Sequence, residues 1–468
     1  MKTKSGIIID RDLIHKYSLR GPRYTSYPTA PEWKPEVGEE QYWNHIRESN
    51  QDGSVRPISL YFHIPFCRER CYYCACNVII TKHETISDQY VEFLTHEMEL
   101  VAKEISPNRK VNQFHLGGGT PTHLQPASLA RLFTNTSQLF AFEENAERSI
   151  EVDLRVTQEE HLTVLREYHF NRISTGVQDF SWDTQVAINR EQSTEDTYNF
   201  VQLCRKYGFE SFNIDLVYGL PHQTLETFDR TIDALIQISP DRIALYNYAH
   251  LPDRLPYQRR IRDEWLPGAE ERFLIFQLAV ERLTESGYVY IGLDHFAKPE
   301  DELTRAMQEG SLQRNFMGFT TRAGSDLYGF GTSSISSLQT IYVQNLKSLR
   351  QYRNLVEADH LPIERGIELS LDDRIRRWTI MNLMCNLYIS ASDFKKVWNL
   401  DFAEYFAEEL PRLKPFVDDG LLNSNVEEEL KVTPLGQMIV RPIAMVFDAY
   451  LTRARKIGAQ TPVYSKTL

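Results

Sequence analysis

From residue 57 onward, short runs rich in β-branched and aromatic residues alternate with longer stretches whose apolar positions follow a helical period. The short runs open near Ile58, Gln113, Ser149, Arg172, Phe212, Arg242 and Tyr288. Between the first two, Ile86, Tyr90, Phe93, Leu94, Met98, Val101 and Ile105 recur at three- and four-residue steps, which predicts a helix with one apolar face turned to a core. Strand and helix signals in succession predict βα units and a parallel sheet. Six or so such units make either an open doubly wound sheet or a barrel, complete or partial, and all of these gather ligands at the carboxyl ends of their strands. Chemically distinctive residues fall there. Cys67 follows the first run and Gly117-Gly118-Gly119 the second; Glu151 and Asp153 lie in the third, Gln178 and Asp179 follow the fourth, and Tyr218-Gly219 follows the fifth.

Past about residue 345 the pattern turns helical, with Leu349, Tyr352 and Leu355 opening one helix and Asp372 to Leu387 forming another. Gly420-Leu421-Leu422, the acidic turn Asn423 to Glu429 and Leu430-Lys431-Val432 read as a small hairpin, followed by Pro434 and a last helix through Met445. Helices with such a hairpin resemble a winged-helix unit, although the acidic wing argues against DNA binding. The expected division is an N-terminal extension packing on the ligand site (1–56), an α/β domain (57–345) and a smaller, mainly helical C-terminal domain (346–468).

With 468 residues, 42% hydrophobic and 25% charged, the chain has the composition of an ordinary soluble protein of two or three domains. No run approaches the roughly 18 apolar residues of a membrane span, and Met1 to Tyr24 lacks an apolar leader, so a cytoplasmic location is expected. A net charge of −12 disfavours nonspecific binding to nucleic acid. An anionic small molecule would need a local cluster of arginines, for which Arg20, Arg23, Arg314 and Arg322 are candidates; for any one of them a surface charge is the ordinary reading.

Six cysteines, four of them within ten residues, do not form the pattern of a secreted disulfide framework, and reduced thiols are expected. Cys67, Cys71 and Cys74 stand in a C-x3-C-x2-C spacing just after Ile58, Leu60 and Phe62. Three thiolates on a cubane of four irons leave one iron open to an external ligand, and an open iron implies chemistry rather than electron carriage. Cys76 extends the run, so zinc, a closed four-thiolate cluster and a redox disulfide stand as alternatives; a structural zinc site generally pairs two cysteine knuckles, and no second knuckle exists here. Cys204 and Cys385 sit in helical apolar patterns, as buried free thiols do.

The loop Gly117-Gly118-Gly119-Thr120-Pro121-Thr122 lets the backbone turn sharply and approach a ligand with no Cβ in the way. It lacks both the G-x-G-x-x-G of a dinucleotide fingerprint and the lysine of a phosphate loop, and by itself reads as a tight strand-to-helix connection. Taken together, the cysteine loop and G-G-G-T-P resemble the radical S-adenosylmethionine enzymes. Pro22-Arg23-Tyr24-Thr25-Ser26-Tyr27-Pro28-Thr29, Cys71-Tyr72-Tyr73-Cys74-Ala75-Cys76-Asn77, Gly176-Val177-Gln178-Asp179-Phe180, Asn189-Arg190, Asn213-Ile214-Asp215-Leu216-Val217-Tyr218-Gly219-Leu220-Pro221, Asn247-Tyr248-Ala249-His250-Leu251-Pro252 and Arg314-Asn315-Phe316 are more closely similar to the oxygen-independent coproporphyrinogen III oxidases. That likeness covers nearly the whole chain from about Tyr17.

The resemblance implies an α/β fold with a partial (β/α)6-type barrel of mostly parallel strands. It implies one [4Fe–4S] cluster on Cys67, Cys71 and Cys74, and two S-adenosylmethionine molecules as cosubstrates. Tyr61, Gly118, Glu151 and Ile335 would line the first, and Tyr73, Gly119, Thr120, Gln178, Arg190, Asp215 and Ala249 the second. The implied reaction is decarboxylation of two propionates of coproporphyrinogen III to vinyl groups in haem synthesis. No side-chain general base is required, so none is named. A low-potential electron-donor protein is the implied partner, with no nucleic acid and no membrane span; the oligomeric state is left open, with a monomer as the working assumption. Each residue also has a plain reading: the carboxylates as caps or ion-pair partners, Arg190 as a salt bridge, and the tyrosines, Ala249 and Ile335 as core. His63, His115, His123, His250 and His295 read as structural. One departure is Gln313, where family members often carry histidine before Arg-Asn-Phe. The alternative function is a haem-binding chaperone of the same superfamily without decarboxylase activity; Cys76 and the Arg23–Tyr27 segment favour the oxidase. Another radical enzyme acting on a different tetrapyrrole and a closed-cluster electron carrier are further rivals.

Overall fold

Alternation along each strand decides which side chains face the helices and which do not. Ile58–Ile64 (β1) reads I-S-L-Y-F-H-I, so Ile58, Leu60, Phe62 and Ile64 share one face while Ser59, Tyr61 and His63 share the other. The same division runs through Val111–Gly118 (β2), Phe142–Val152 (β3), Arg172–Gln178 (β4), Ser211–Tyr218 (β5) and Arg242–Asn247 (β6). In the computed structural model, which describes residues 11–51, 55–423, 425, 427–456 and 464, these strands lie side by side and parallel in the order β1-β2-β3-β4-β5-β6. Asp326–Phe330 (β7) pairs parallel to the other edge of β1, and Ile335–Ser337 (β8), Ile341–Asn345 (β9) and Ile363–Glu368 (β10) extend that side antiparallel. This is the mixed α/β fold with a large, mostly parallel sheet expected from the pattern.

One face of the sheet is apolar and meets the helices Glu84–Ala102, Pro126–Leu139, Glu159–Glu167, Thr194–Lys206, Leu225–Ile238 and Ala269–Glu285 that separate the strands. Leu60, Phe62, Leu116, Ile150, Ile214 and Ile243 are fully buried there, and Phe114 meets Phe133 edge-on at 5.9 Å. Burying each such side chain contributes about 1.5–3 kcal/mol. The helical stripe behaves largely as expected, with Tyr90, Leu94, Met98 and Val101 buried, but Ile86 is 37% exposed. Ser87 turns inward in its place and bonds His123 Nδ1 at 3.0 Å, so polar contacts rather than apolar phase set the first turn of that helix.

The other face is polar, and the register assembles it row by row. Ser59, Gln113 and Glu147 form one row; Tyr61, His115, Ser149, Arg172 and Ser211 form the next. Glu151, Ser174, Asn213 and Arg242 follow, and Gly176, Asp215 and Ala244 come last, at the carboxyl ends.

The compact units cut across the consecutive segments expected from the sequence. One unit comprises Lys34–Ser286 and Gly324–Glu368, and therefore the whole sheet described above. The second comprises the described residues up to Trp33, Gly287–Ala323, and the described residues from Leu369 on. The strand expected near Tyr288 runs from Val289 to Gly292 in this second unit and pairs with His295–Ala297. Its core joins Tyr24 and Tyr27 to Ile380, Leu383, Phe394, Phe406, Ile443 and Phe447. Tyr24 donates to Asp448 at 2.9 Å, and the Ala449 N–H donates to the Tyr27 hydroxyl at 3.0 Å. The expected hairpin near residue 425 is only half of the wing: Leu422 bridges Val432, but Glu429–Lys431 also pairs with Tyr388–Ser390. Ser424 and Val426 lie outside the described residues.

Candidate active site

Four strand ends and the cysteine loop open onto one cavity of about 670 Å³. Cys67, Cys71, Tyr73, Cys74 and Cys76 come from the loop after β1, Gly118, Gly119 and Thr120 from the end of β2, and Glu151 and Asp153 from the end of β3. Ser174, Gly176 and Gln178 come from β4, Arg190 from the connection after it, and Asp215 from β5. Eleven of the fourteen residues expected at the site thus meet here; Tyr61, Ala249 and Ile335 do not line the cavity.

The loop is held by backbone contacts at every turn. The Tyr72 N–H donates to the Ile188 carbonyl at 2.9 Å, Asn189 Nδ2 donates to the Arg70 carbonyl at 3.0 Å, and the Thr81 N–H donates to the Cys67 carbonyl at 3.0 Å. From the outside, Tyr257 donates to the Cys74 carbonyl at 2.5 Å and Gln258 to the Tyr73 carbonyl at 3.0 Å. Gln258 also bonds the Ala249 carbonyl at 3.3 Å, which places Ala249 behind Tyr73. Thr120 Oγ1 lies 3.5 Å from Cys67 Sγ, and Arg190 points an N–H at Cys71 Sγ at 3.7 Å. The Cys76 N–H donates to Cys74 Sγ at 3.4 Å. The bond between the Cys76 and Cys74 side chains lowers the Cys74 thiol to about 7 against the opposing effect of burial, whereas burial raises Cys67 to about 11.

Among the described residues no three His, Cys, Asp or Glu side chains are grouped as ligands for a single metal ion. A cubane takes one thiolate per iron, so soft donors spread around a cavity suit an iron–sulfur cluster better than they suit zinc.

The glycine edge must be bare. Gly118 has φ +111°, and a Cβ there would lie 2.6 Å from His63; a Cβ on Gly119 would lie 2.8 Å from the Phe66 carbonyl oxygen. Its N–H groups are put to use, Gly118 donating to Glu151 Oε2 at 3.1 Å and Gly119 to the Ile64 carbonyl at 2.8 Å.

The carboxylates differ in state because their neighbours differ. Burial opposes ionisation of Glu151, but His115 at 3.6 Å and the Gly118 N–H outweigh it and hold the carboxyl below its usual range. Burial likewise opposes Asp153, yet Arg190 at 3.1 Å and Arg155 at 2.6 Å drive it well below. Burial and the nearby Glu151 charge raise Asp215 to about 7, outweighing the Asn213 amide at 2.7 Å and the smaller opposing effects of Arg190 and His115.

Arg190 is fixed by its own neighbours as well. Its Nε and one terminal nitrogen reach the Gly176 carbonyl at 2.9 and 2.6 Å while the other terminal nitrogen meets Asp153, so much of the fork is engaged by the chain.

A second line of contacts runs behind the cavity. Tyr61 bonds His63 Nδ1 at 3.1 Å and stacks on His115 at 5.9 Å, and His63 Nε2 bonds the Asn77 carbonyl at 3.0 Å. A carbonyl only accepts, so His63 carries its proton on Nε2 and takes the tyrosine hydroxyl on Nδ1; burial keeps the ring neutral. Ile335 lies in β8 opposite Gln344.

Sequence reasoning placed Asp153 in its strand but gave it no role, and it assigned none to Asn189, Tyr257 or Gln258. Asp153 follows Glu151 by two residues, so strand alternation was a usable signal; Tyr257 and Gln258 lie more than 180 residues from the loop they brace and carried none. The four candidate arginines are not part of this cavity: Arg23 pairs with Asp294 and Arg314 lies over the Phe319 ring at 5.1 Å, both within the second unit.

Comparison with known proteins agrees with this geometry. Residues 61–235 match the Radical SAM superfamily profile, and residues 369–439 match the HemN C-terminal domain. The chain is 44% identical over 449 residues to the oxygen-independent coproporphyrinogen III oxidase of Synechocystis sp., covering 95% of this chain and 96% of that one. It belongs to the oxygen-independent coproporphyrinogen III oxidase family. The protein of that name from Escherichia coli K12 is likewise 44% identical, covering 96% of this chain and 97% of that one. The solved structure of the Escherichia coli coproporphyrinogen III oxidase, described as a radical SAM enzyme, matches with a TM-score of 0.89 at 43% identity and covers 95% of this chain and 99% of its own. Membership implies a [4Fe–4S] cluster and S-adenosylmethionine, and the cysteine loop and glycine edge suit both. No helix among the described residues is long and apolar enough to cross a membrane.

Proposed function

We propose that the chain decarboxylates two propionate side chains of coproporphyrinogen III oxidatively, without oxygen, to give the vinyl groups of protoporphyrinogen IX. The observation that carries this reading is the single cavity in which three cysteines, a bare glycine edge and a set of carboxylates of unlike charge state meet. End-to-end likeness to proteins named for the activity supports it. Cys67, Cys71 and Cys74 would hold the cluster, which together with S-adenosylmethionine would supply the one-electron chemistry needed to remove a hydrogen from the propionate β-carbon, with CO2 and a further electron lost to give the vinyl group.

The chain's own residues bind and orient. We assign Tyr61, Gly118, Glu151 and Ile335 to a first S-adenosylmethionine, and Tyr73, Gly119, Thr120, Gln178, Arg190, Asp215 and Ala249 to a second. Ionised Glu151 suits an α-ammonium or ribose hydroxyls. Asp215, protonated up to about pH 7, can donate as well as accept. Arg190, clamped by Asp153, sets a fixed positive charge in the wall where a carboxylate would lie. Tyr73 offers an aromatic face to a sulfonium or to adenine. A low-potential electron-donor protein and a cytoplasmic location complete the reading, supported by six free cysteines.

The test is an anaerobic assay of reconstituted protein with coproporphyrinogen III, S-adenosylmethionine and dithionite. Vinyl product and methionine are expected to appear together, two methionines for each protoporphyrinogen. Methionine without vinyl product would overturn the substrate, and neither product would overturn the reaction class.

A further inference from the structure

The proposed activity requires an electron from outside the chain. Residues 254–262 read R-L-P-Y-Q-R-R-I-R, four arginines with no acid, in a chain whose net charge is −12. This stretch lies directly over the cysteine loop. Its inner side grips the loop through Tyr257 on the Cys74 carbonyl and Gln258 on the Tyr73 carbonyl, at 2.5 and 3.0 Å. Arg70 covers the Tyr257 ring at 4.5 Å, and Arg260 covers Tyr72 at 5.0 Å while donating to its hydroxyl at 2.9 Å. Ile261 is buried with Ile188, Val217, Leu220 and Tyr248, and Tyr72 and Tyr73 pack on the same cluster, so loop and overlay share one apolar footing.

The outer side is charged and open. Arg254, Arg259, Arg260 and Arg262 are exposed, as are Arg68, Ala75 and Cys76 of the loop itself. Acids nearby are partly neutralised: His250 meets Asp263 at 3.0 Å, and Arg262 meets Glu264 at 3.6 Å. Asp253 and Glu69 are exposed. Among the described residues, Arg68, Arg254 and Arg259 have no ion-pair partner.

We infer that this arginine face over the cysteine loop is the docking surface for an acidic one-electron carrier protein, the donor required by the function proposed above. Its need rests on that reading; its place rests on the surface. An acidic carrier is repelled by the net charge of the chain and drawn to the basic face beside the thiols, which steers encounter to the productive side. In the transfer the carrier loses one electron and the metal centre on Cys67, Cys71 and Cys74 gains it, with no bond made or broken in the chain.

The test uses the reconstituted holoprotein, an acidic flavodoxin as the probe, and the double variant Arg254→Glu/Arg259→Glu, whose fold is checked by iron content and circular dichroism. Flavodoxin affinity is read by titration at about 0.05 M and again at about 0.3 M salt. The variant is expected to bind at least ~tenfold more weakly at low salt, with the gap shrinking at high salt, while dithionite-driven turnover and the KM for coproporphyrinogen III stay as in the parent. Equal affinity in parent and variant would overturn the docking surface. A raised KM under dithionite would overturn it too, by giving the arginines to the substrate's carboxylates. Failure of the proposed reaction looks different: arginine-dependent flavodoxin binding would persist in a protein that yields no vinyl product with dithionite.

Discussion

The polar face of the sheet has two halves that use the same residue types to opposite ends. Near the N-terminal ends of the strands its groups mostly pair with one another. Ser59 donates to Gln113, Gln113 donates to Glu147 at 2.9 Å, and Arg172 stands 3.4 Å from Glu147. Beside them Arg109 is locked to Asp326 at 2.5 Å and to Ser49 and Tyr328 at 2.7 and 3.2 Å. Near the C-terminal ends, Glu151, Asp153, Gln178, Arg190 and Asp215 turn to the cavity, and their charge states spread from a strongly ionised Asp153 to an Asp215 protonated up to about 7. A polar residue on a parallel strand is therefore no sign of function by itself. What marks the site is polar groups that, though bonded to their neighbours, also open onto a cavity and differ in charge state.

The largest effect expected is at the thiols. Cys67→Ser, Cys71→Ser or Cys74→Ser should abolish the metal centre, and turnover with it, while Cys76→Ser leaves the cluster assembled. Iron and sulfide content after anaerobic reconstitution reads this directly. Full occupancy in any of the first three would refute the ligand set, and loss in the fourth would make Cys76 a ligand.

The lower half of the face should answer in stability instead. Asp326→Ala leaves Arg109 buried without its carboxylate, which costs about 3–5 kcal/mol for a pair of this kind. Urea denaturation should show that loss, with S-adenosylmethionine affinity of the folded protein unchanged. Altered affinity at intact stability would erase the distinction between the two halves.

Asp215→Asn probes the upper half by pH. Burial lifts the folded value to about 7 from an ordinary 3.8, so the folded chain holds this proton more tightly than the unfolded chain does. The stabilisation is fully present below 3.8 and is lost as pH rises to about 7. In the ligand-free protein the variant should lack this decline, becoming relatively more stable at neutral pH, and should bind S-adenosylmethionine about tenfold more weakly through loss of the acid's hydrogen-bond versatility. A parent whose stability is flat over that range would remove Asp215 from the comparison.

Much of this contrast was legible in advance because strand alternation is local. The six βα units, the cysteine loop, the glycine edge and the positions of Glu151 and Asp215 follow from period and motif. Two kinds of information were not local. The described residues up to Trp33 and the strand at Val289 join the helical unit through side chains such as Tyr24 and Asp448, 424 residues apart, which no window along the chain can pair. Likewise the braces on the cysteine loop come from Tyr257 and Gln258, ordinary residues whose role exists only in the folded chain. For Arg190 the sequence leaves ligand binding and a salt bridge both open, and names no partner; its Asp153 and Gly176 contacts depend on the register of β3 against β4.

Tyr61 stands between the two halves, and its hydroxyl offers the finest test of where one gives way to the other. It shares a register row with His115 and Ser149, as a member of the structural half would, yet its bond to His63 leads to the Asn77 carbonyl at the end of the cysteine loop. Tyr61→Phe keeps the stack on His115 and removes only that bond, a change of about 1 kcal/mol. If the hydroxyl serves the cavity through the loop, S-adenosylmethionine affinity should fall about fivefold with urea stability nearly unchanged. If it serves the sheet, the same 1 kcal/mol should appear in urea and the affinity should hold. Because His63 must donate to Asn77, its Nδ1 loses a donor in the variant and the ring has more freedom to turn, so the first outcome is expected.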